Sequence, residues 1–401
     1  MPAEPTAPSI TIELPADCLN RLMRHPAVRA LGPSRAPWQL VEGGRARRLS
    51  RPTAPMSVLL FQPVAGETAR PLLLFAEPTA PPGEMPALGT ALAARLPAVP
   101  VLRAPGARGD IGGLTEVGLA LASALRDGLT HLMLHAPGCR ADAPPLGVHQ
   151  SRVALRRMRS VLKLFRSALA GRLAEGAGED PLGTFNARLG VLASALGPAR
   201  DWDVFQGGLG TLLAETLPDE AQLKPLLRRA ATTRLAAYAA LPALLQGRNL
   251  RTLVWEGAAL IEHLEAMPMR GELRGFAAGV LARRHRRLKR AGAQIETLPP
   301  AELHALRLDG KRLRYAAELL APLWDGPAER RYLRRLARLQ EALGLANDAE
   351  VARGLVRQLG ARGWALGVAE GLALGRAAGS RDAALAAWTK WRKARRFWDR
   401  G

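Results

Sequence analysis

A basic helical pattern occurs twice in this chain, and the repetition limits how the chain can fold. The first copy, at 148–165, reads V-H-Q-S-R-V-A-L-R-R-M-R-S-V-L-K-L-F, and the second, at 303–320, reads L-H-A-L-R-L-D-G-K-R-L-R-Y-A-A-E-L-L. The matching pairs are His149 and His304, Arg152 and Arg307, Arg156 and Lys311, Arg157 and Arg312, and Arg159 and Arg314. Because these positions match at one fixed offset, the sequence predicts an internal duplication.

Each copy has a cationic side and an apolar side when it is drawn as a helix at about 100° per residue. The cationic side of the first copy, here called the first stripe, carries His149, Arg152, Arg156, Arg159, Lys163 and Arg166. Its apolar arc carries Ala154, Leu155, Met158, Val161, Leu162 and Phe165. The second stripe carries His304, Arg307, Lys311 and Arg314, beside an apolar arc of Leu306, Leu313, Ala316 and Leu320. We therefore predict two amphipathic helices that pack through their apolar arcs.

The basic stripes predict an anionic ligand. Like charges four residues apart on a helix repel by a few tenths of a kcal/mol per pair, and an anion removes that cost. Arginine predominates, and its planar guanidinium can bind two phosphate oxygens at once, which an ammonium cannot. A solvated basic face is the alternative interpretation, but two stripes in register favour a ligand. His149 and His304 have no Cys or carboxylate at ligand spacing, which favours hydrogen bonding to phosphate over metal binding.

Composition favours packed helices and places the excess charge in the C-terminal part. The chain has 401 residues, 48% of them hydrophobic but only 4% aromatic, and its formal net charge is +22. Residues 1–145 contain 14 Arg and no Lys against 11 Asp and Glu, so nearly all the excess lies beyond them. Such an excess favours nucleic acid, inorganic polyanions or anionic membrane surfaces as partners.

Nothing in the sequence indicates secretion or membrane insertion. The N-terminus lacks the basic start and apolar run of a signal peptide, and no apolar stretch approaches the roughly 20 residues that span a bilayer. Cys18 and Cys139 lie far apart without a C-x-x-C motif, which indicates neither a disulfide framework nor a zinc site. We expect a reduced, cytoplasmic protein with no metal, no cofactor and no membrane partner.

The pattern of apolar and breaker residues predicts an α+β start followed by long helices. The predicted strands are Ile10–Leu14, Ser57–Val64 and Pro71–Glu77, with a helix at Ala16–Ala30 and breakers at 77–84. The predicted later helices are Leu114–His135, the helix of the first stripe, Pro181–Leu196, Asp201–Thr216, Ala221–Gln246, Asn249–Glu265, Glu272–Ala291, Pro300–Leu323, Ala328–Leu343, Ala346–Arg362 and Gly367–Phe397.

A second element is also repeated, which supports the duplication. L-G-P-A-R-D-W-D-V at 196–204 parallels L-G-L-A-N-D-A-E-V at 343–351. The glycines, Gly197 and Gly344, are each predicted to end one helix, and the acidic residues to begin the next near its positive end. The acidic pairs are Asp201 with Asp203 and Asp348 with Glu350. Ion pairs to the stripe arginines are a further role for them, and metal binding or acid–base chemistry is the alternative.

Two more segments are basic. In A-R-R-H-R-R-L-K-R at 282–290, four arginines share one helical face, either as a surface tract or as an extension of the anion site. These four, here called the α12 tract because their predicted helix, Glu272–Ala291, is helix α12 of the chain, are Arg283, Arg286, Arg287 and Arg290. The C-terminal W-T-K-W-R-K-A-R-R-F-W at 388–398 is basic and aromatic, and its tryptophans are predicted to belong to the core.

These motifs resemble those of the CHAD family. Members carry H-x-x-R-x-x-x-[RK]-R-x-R on the first helix of each of two four-helix bundles, and both copies of that motif are present here, together with R-D-x-D-V at 200–204. The resemblance covers roughly residues 115–400. It implies a mainly α fold of two pseudo-symmetric four-helix bundles, preceded by a small α+β region. It also implies binding of inorganic polyphosphate in a basic channel and association with polyphosphate granules.

The resemblance implies a polyphosphate role for His149, Arg152, Arg156, Arg159, His304, Arg307, Lys311 and Arg314. The stripe pattern and the α12 tract add Arg157, Lys163, Arg283, Arg286, Arg287, Arg290 and Arg312 to the predicted site. The departures are that Arg200 corresponds to Asn347 and that Lys163 corresponds to Glu318. Glu318 is predicted to make the second stripe weaker or internally ion-paired.

The N-terminal region resembles the start of a CYTH domain, a metal-dependent β-tunnel that often precedes a CHAD domain. Of its E-x-E-x-K motif only Glu13 remains, and the region is short, so we interpret it as a degenerate remnant without hydrolase activity. The predicted domains are the CYTH-like region at 1–113 and the helical domain at 114–401. The two repeats of the helical domain are predicted at about 146–265 and 272–401.

The sequence therefore predicts a non-catalytic protein that binds polyphosphate, and possible binding of other polyanions follows from the same charge. A nucleic-acid (RNA) binding protein is the main alternative, although the stripes carry few aromatic residues for base stacking. A metal-dependent triphosphatase in the N-terminal region is the second alternative.

Overall fold

A small antiparallel sheet near the N-terminus is followed by a larger set of packed helices. The computed structural model describes residues 12–14, 18–30, 39–41, 44–50, 57–63, 72–76, 84–96, 99–100, 111–174, 180–245, 248–266, 272–324, 326–377 and 379–399. Within these ranges no helix is both long and apolar enough to cross a membrane.

The sheet has the strand order β2-β3-β4-β5-β1-β6, and every neighbouring pair is antiparallel. Its strands are β1 (Ile12–Leu14), β2 (Gln39–Val41), β3 (Gly44–Ser50), β4 (Ser57–Pro63), β5 (Leu72–Ala76) and β6 (Val99–Pro100). The three predicted strands correspond to β1, β4 and β5; the outer predicted residues 10, 11, 64, 71 and 77 lie outside the described ranges. The sequence pattern missed β3, G-R-A-R-R-L-S, because it contains three arginines and no apolar run.

Short helices accompany the sheet. They are α1 (Leu19–Met23), α2 (Pro26–Arg29) and α3 (Glu84–Ala93). The single helix predicted at Ala16–Ala30 is wrong, because Pro26 has no amide to donate to the preceding turn. His25 is extended there and caps α2, its Nδ1 accepting from the amide of Ala27 at 3.3 Å. Of the predicted breaker segment at 77–84, residues 77–83 lie outside the described ranges, and α3 begins at Glu84.

The C-terminal part is built from helices joined by short connections. They are α4 (Val117–His135), α5 (Leu146–Ala174), α6 (Pro181–Ala195), α7 (Gly197–Phe205), α8 (Thr211–Thr216), α9 (Lys224–Ala239), α10 (Leu241–Leu245), α11 (Arg248–Ala266), α12 (Leu273–Ala291), α13 (Pro300–Leu320), α14 (Pro327–Gln358), α15 (Gly363–Ala377) and α16 (Ser380–Arg392). A π-helical turn at Gln206–Gly210 joins α7 to α8.

Two four-helix bundles form from these helices, as the fold prediction states. α4, α5, α6 and α11 pack together as the first bundle, and α12, α13, α16 and the first half of α14 form the second. The bundles meet where α5 contacts α13 and where α4 and α12 begin side by side, with the Leu273 amide donating to the Thr115 carbonyl at 2.9 Å. The two stripe helices therefore occupy equivalent positions, one in each bundle.

The apolar arcs of both stripe helices are buried, as predicted. Leu155, Met158 and Phe165 of α5 are fully covered, as are Leu313 and Leu320 of α13. Burying a side chain of this size stabilises the fold by about 1.5–3 kcal/mol, so this packing fixes the rotation of each helix. The predicted burial of the C-terminal tryptophans is also confirmed, with Trp388, Trp391 and Trp398 all inside the second bundle.

A second core lies outside the bundles. It joins α7, α8 and α9 from the first half of the chain to the end of α14 and to α15 from the second half. Trp202 and Phe205 of α7 belong to this core, as does Val356 of α14. Helices of both repeats therefore bury one another here, which joins the two halves into one body.

The break predicted at Gly344 is wrong, because α14 runs through it from Pro327 to Gln358. In the first repeat, α6 ends just before Gly197 as predicted, and Pro198 then cannot donate to the preceding turn. Leu345, which follows Gly344, keeps its amide, so the helix continues at the cost of about 1 kcal/mol for one glycine. The two helices predicted at Ala328–Leu343 and Ala346–Arg362 are thus one.

Two other predicted helices are divided. The segment Ala221–Gln246 forms α9 and α10, which meet at Ala240, where Pro242 removes an amide from the next turn. The segment Gly367–Phe397 is divided by Gly379, whose φ of 74° lies in the left-handed region that favours glycine. Proline and a left-handed glycine therefore set the helix boundaries that periodicity alone missed.

The N-terminal layer packs on the first bundle through α3 and α11. Gly89 of α3 lies directly against the indole of Trp255, leaving no room for a side chain. Arg251 of α11 donates from Nε to the carbonyl of Ala93 at 3.2 Å, at the end of α3. The contact is therefore both apolar and hydrogen-bonded.

Candidate anion-binding site

The first stripe runs along the surface of α5 with its cations at two depths. Arg156, Arg157 and Lys163 are exposed, and Arg152 and Arg159 are half-buried. Arg152 donates from Nη1 to the carbonyl of Ala193 on α6 at 3.0 Å. The half-buried guanidiniums lie against α6, whereas the exposed cations are open to a ligand.

The guanidinium of Arg159 is held in place by its close approach to the backbone of Gly190. A Cβ built at Gly190 of α6 would lie 3.2 Å from Nη2 of Arg159, closer than ordinary van der Waals contact. The absence of a side chain at this position lets the guanidinium lie flat against α6. The arginine is thus fixed in place rather than extended into solvent.

His149 stands at the start of the stripe in a cationic environment. Burial lowers its pKa, and the nearby positive charges of Arg200, Arg156 and Arg152 lower it further. At neutral pH the imidazole is therefore uncharged and can either donate or accept a hydrogen bond. A bound anion would oppose the effect of the three arginines and favour the protonated form.

The first stripe touches the helix of the second stripe where the bundles meet. The guanidinium of Arg156 on α5 lies over the ring of Tyr315 on α13, 5.3 Å from the ring centroid. Tyr315 follows Arg314 of the second stripe directly. The structure therefore places a cation of the first stripe against the helix that carries the second stripe.

The second stripe is partly neutralised by its own chain. His304 is exposed, and Arg307, Lys311 and Arg314 are half-buried. Arg314 donates from Nε to Glu318 at 2.7 Å, one helical turn away. The predicted internal ion pair is thus present.

The α12 tract joins the second stripe helix through a carboxylate that sequence reasoning missed. All four arginines of the tract are exposed. Asp309 of α13 accepts from Arg287 Nε at 2.7 Å and from Arg312 Nη1 at 2.7 Å. Arg284 adds a bond to the carbonyl of Arg312 at 2.8 Å, and burial together with the charge of Arg312 lowers the Arg284 pKa. The sequence signal for this carboxylate is the aspartate of L-D-G-K at 308–311, which stands where the first copy has Ala154.

Most of the predicted site cations on α5 lack an acidic partner in the part of the chain that the structure describes. Arg156, Arg157, Arg159 and Lys163 form no ion pair with any described residue. At the end of the stripe, Arg166 is paired with Asp180 at 2.5 Å. The first stripe is therefore more open than the second.

The predicted roles of the acidic repeat are largely wrong. Asp201 and Asp203 lie inside α7 rather than before its first turn. Asp203 is buried and binds Arg234 of α9 at 2.8 Å and the Tyr238 hydroxyl at 2.7 Å, so it joins two helices instead of pairing with a stripe arginine. In the second repeat, Glu350 pairs with Arg353 at 2.9 Å.

Among the described side chains of the acidic repeat, Asp201 is the one that interacts electrostatically with a stripe arginine, Arg152. Burial raises its pKa, and the charges of Arg152 and Arg200 oppose that rise. The counterparts of Arg200 and Asp201 in the second repeat are Asn347 and Asp348, and their side chains lie outside the described residues. No group of three or more His, Cys, Asp or Glu side chains able to hold a metal ion occurs among the described residues.

Comparison with known proteins identifies the family. The family model described as the CHAD domain matches residues 123–357. The crystal structure of the CHAD domain from the plant Ricinus communis is 29% identical, covers 74% of this chain and 96% of its own, and superposes with a TM-score of 0.55. PptA from Streptomyces chartreusis shares the fold at 21% identity, covering 69% of this chain and 100% of its own with a TM-score of 0.52. Comparison with curated proteins gives no match. The helical part of this chain, with its two stripes and paired bundles, belongs to the CHAD family.

Proposed function

We propose that this protein binds inorganic polyphosphate without catalysis, through the surface on which the first stripe, the second stripe and the α12 tract come together. The observation that carries the proposal is the contact between the two stripe helices, where Arg156 of α5 lies over Tyr315 of α13. Cations from two helices along one surface suit a linear polymer with a charge on every unit. A compact anion would use only one of the two stripes.

Arginine geometry supports phosphate as the group that is recognised. Arg156 and Arg157 are exposed and have no carboxylate partner among the described residues, so their donors are available for phosphate oxygens. A guanidinium can bind a phosphate through two parallel hydrogen bonds, which makes such contacts stronger than neutral ones. The remaining predicted residues, from His149 to Arg314, stay part of the proposed site because they belong to the same stripe helices or to the α12 tract.

The stripe helices offer few aromatic rings on which bases could stack, which favours polyphosphate over RNA as the ligand. Among phenylalanine, tyrosine and tryptophan, α5 contains only Phe165 and α13 only Tyr315. Phe165 is buried, and Arg156 covers the ring of Tyr315. Proteins that bind single-stranded nucleic acid without sequence preference use exposed aromatic rings, each contributing about 1–3 kcal/mol per base.

A charge-reversal experiment tests the proposal. Arg156→Glu with Lys163→Glu changes two exposed positions, so the fold should persist and polyphosphate affinity should fall by about 100-fold or more, since two contacts are replaced by repulsion. The matched control, Arg228→Glu with Arg229→Glu on the exposed side of α9, makes the same charge change away from the stripes. Calorimetric titration with long-chain polyphosphate measures both, and circular dichroism checks helix content.

The outcome decides between a specific site and general attraction. Equal weakening in both double variants would mean that net charge alone attracts the polymer, and the proposed site would be wrong. RNA is then added as a competitor at equal phosphate concentration, because salt dependence is similar for both polyanions. Displacement of polyphosphate by RNA would favour the nucleic-acid interpretation.

We further propose that the N-terminal sheet is a degenerate CYTH remnant without hydrolase activity, and that the protein lies in the cytoplasm with polyphosphate granules. Glu13 is paired within the sheet, opposite Leu73 and Val99 in its two neighbouring strands. Phosphate release from tripolyphosphate with Mg²⁺ or Mn²⁺, abolished by Glu13→Ala, would contradict the non-catalytic interpretation of this region.

A further inference from the structure

The charges of the two halves of the proposed site differ in a way that their sequence repeat does not. In the first half, Arg156, Arg157 and Lys163 have no carboxylate partner among the described residues. In the second half, two carboxylates occupy three of the predicted cations. Asp309 binds Arg287 and Arg312, and Glu318 binds Arg314, all at 2.7 Å.

We propose that Asp309 and Glu318 act as internal competitors of the anionic ligand, so that the second half of the site is occupied only by a polymer already held on the first half. The inference rests on the proposed function, and deepens it by naming which residues set the preference for polymer length. Position 309 is the sharpest difference, because the equivalent residue of the first repeat is Ala154.

The geometry of Asp309 resembles that of a bound anion. Its side chain is 10% exposed, and its two oxygens each accept from a different guanidinium, Oδ2 from Arg287 and Oδ1 from Arg312. The side chains of Arg287 and Arg312 are themselves 66% and 57% exposed, so a ligand can reach them. The carboxylate thus uses donors that a phosphate oxygen would otherwise accept from, and reduces the local positive charge by one.

Glu318 acts similarly within the second stripe. Glu318 occupies the position that corresponds to Lys163 of the first stripe. The first copy therefore has a cation at this position, and the second copy has an anion. The Glu318 side chain is 23% exposed, and its carboxylate accepts from Arg314, whose side chain is 38% exposed. A ligand that binds Arg314 must therefore compete with a carboxylate that is always present.

Polymer length decides whether that competition is overcome. A short anion binds the second half as a separate molecule and must displace the carboxylates at its own bulk concentration. A polymer held on the first stripe presents its next phosphates at a high effective concentration, which commonly reaches the millimolar range for short tethers. Arg156, at the contact between α5 and α13, lies where a single polymer would cross from one half to the other.

The experiment measures the second half by itself. The starting protein carries Arg156→Glu with Lys163→Glu, which disables the first stripe at two exposed positions. Asp309→Asn with Glu318→Gln is then added, keeping side-chain size while removing both charges. The matched control adds Glu350→Gln with Asp382→Asn instead, which removes two exposed charges on α14 and α16.

Tripolyphosphate affinity, measured by calorimetry, is the readout. We expect it to rise about three- to tenfold when Asp309 and Glu318 are neutralised, because three partly exposed ion pairs no longer compete with the ligand, and to change less than twofold in the control. An equal rise in both proteins, no change, or a fall would overturn the proposal. A fall would mean that the carboxylates hold the arginines in place for the ligand.

Two further measurements distinguish failure of this inference from misfolding of a variant and from failure of the proposed function. Glu318→Gln alone, at a partly exposed position, keeps the test valid if the Asp309 variant does not fold, and it should raise the affinity about two- to threefold. Failure of the unmodified protein to bind long-chain polyphosphate would instead contradict the proposed function itself. Binding with no effect of either carboxylate would contradict only this inference.

Discussion

At the scale of single residues, burial among aromatic rings makes His285 the most strongly perturbed histidine described. Only 6% of it is exposed, Nδ1 lies 2.9 Å from the Tyr332 hydroxyl, and the rings of Trp391 and Trp398 are close by. Burial lowers the pKa of His285 to about 4, and the charges of Arg396 and Lys289 also lower it. The imidazole is therefore a neutral part of the core.

This shift predicts a specific loss of stability in acid. The pKa of an unfolded histidine is about 6.5, so below that pH the unfolded chain takes up a proton that folded His285 does not. The contribution of His285 is therefore fully present above pH 6.5 and is lost as the pH falls towards 4. Between pH 7 and pH 4.5 the free energy of unfolding should fall by about 2–3 kcal/mol from this group alone.

Urea denaturation at the two pH values tests that prediction against His285→Gln. The glutamine does not titrate, so the variant should lose about 2–3 kcal/mol less between pH 7 and pH 4.5 than the unmodified protein. Other histidines and carboxylates contribute equally to both proteins and cancel in the difference. Identical losses would mean that His285 is accessible to protons in the folded state.

At the scale of helices, the order of elements could be predicted from the sequence better than their ends. Hydrophobic periodicity located both stripe helices and their buried arcs, because one face of each must pack. It missed the continuity of α14 through Gly344. Periodicity does not show whether the residue after a glycine has a backbone amide that can continue the helical hydrogen bonds, as Leu345 does. It also missed Asp309, because one of the two arginines that stabilise this buried carboxylate, Arg287, comes from another helix.

The continuity of α14 predicts opposite effects for two glycine substitutions. Gly344 lies within the helix with open space around its Cβ position, so Gly344→Ala should stabilise the fold by about 0.5–1 kcal/mol. Gly379 also has open space, but its φ of 74° disfavours any side chain, so Gly379→Ala should destabilise by about 1 kcal/mol. Chemical denaturation measures both changes, and destabilisation by Gly344→Ala would indicate a helix break there after all.

At the scale of the whole molecule, the N-terminal layer and the anion site lie on opposite sides of the first bundle. α3 packs against α11, which in turn packs against α4 and α6. α4 and α6 also pack against α5, so α11 and α5 are diagonally opposite in the bundle. The layer therefore covers the helix diagonally opposite the one that bears the first stripe. The distribution of charge agrees, because nearly all the excess positive charge lies beyond residue 145.

That arrangement predicts that the layer can be loosened without affecting anion binding. Gly89→Leu places a side chain where the indole of Trp255 already lies, so α3 should detach from α11. Limited proteolysis should then cut the N-terminal region faster, while long-chain polyphosphate affinity, measured by calorimetry, stays within about twofold because the stripes are untouched. Gly113→Ala, at a position with open space, is the matched control and should change neither result. A large loss of affinity on Gly89→Leu would show instead that the N-terminal layer supports the binding surface through the first bundle.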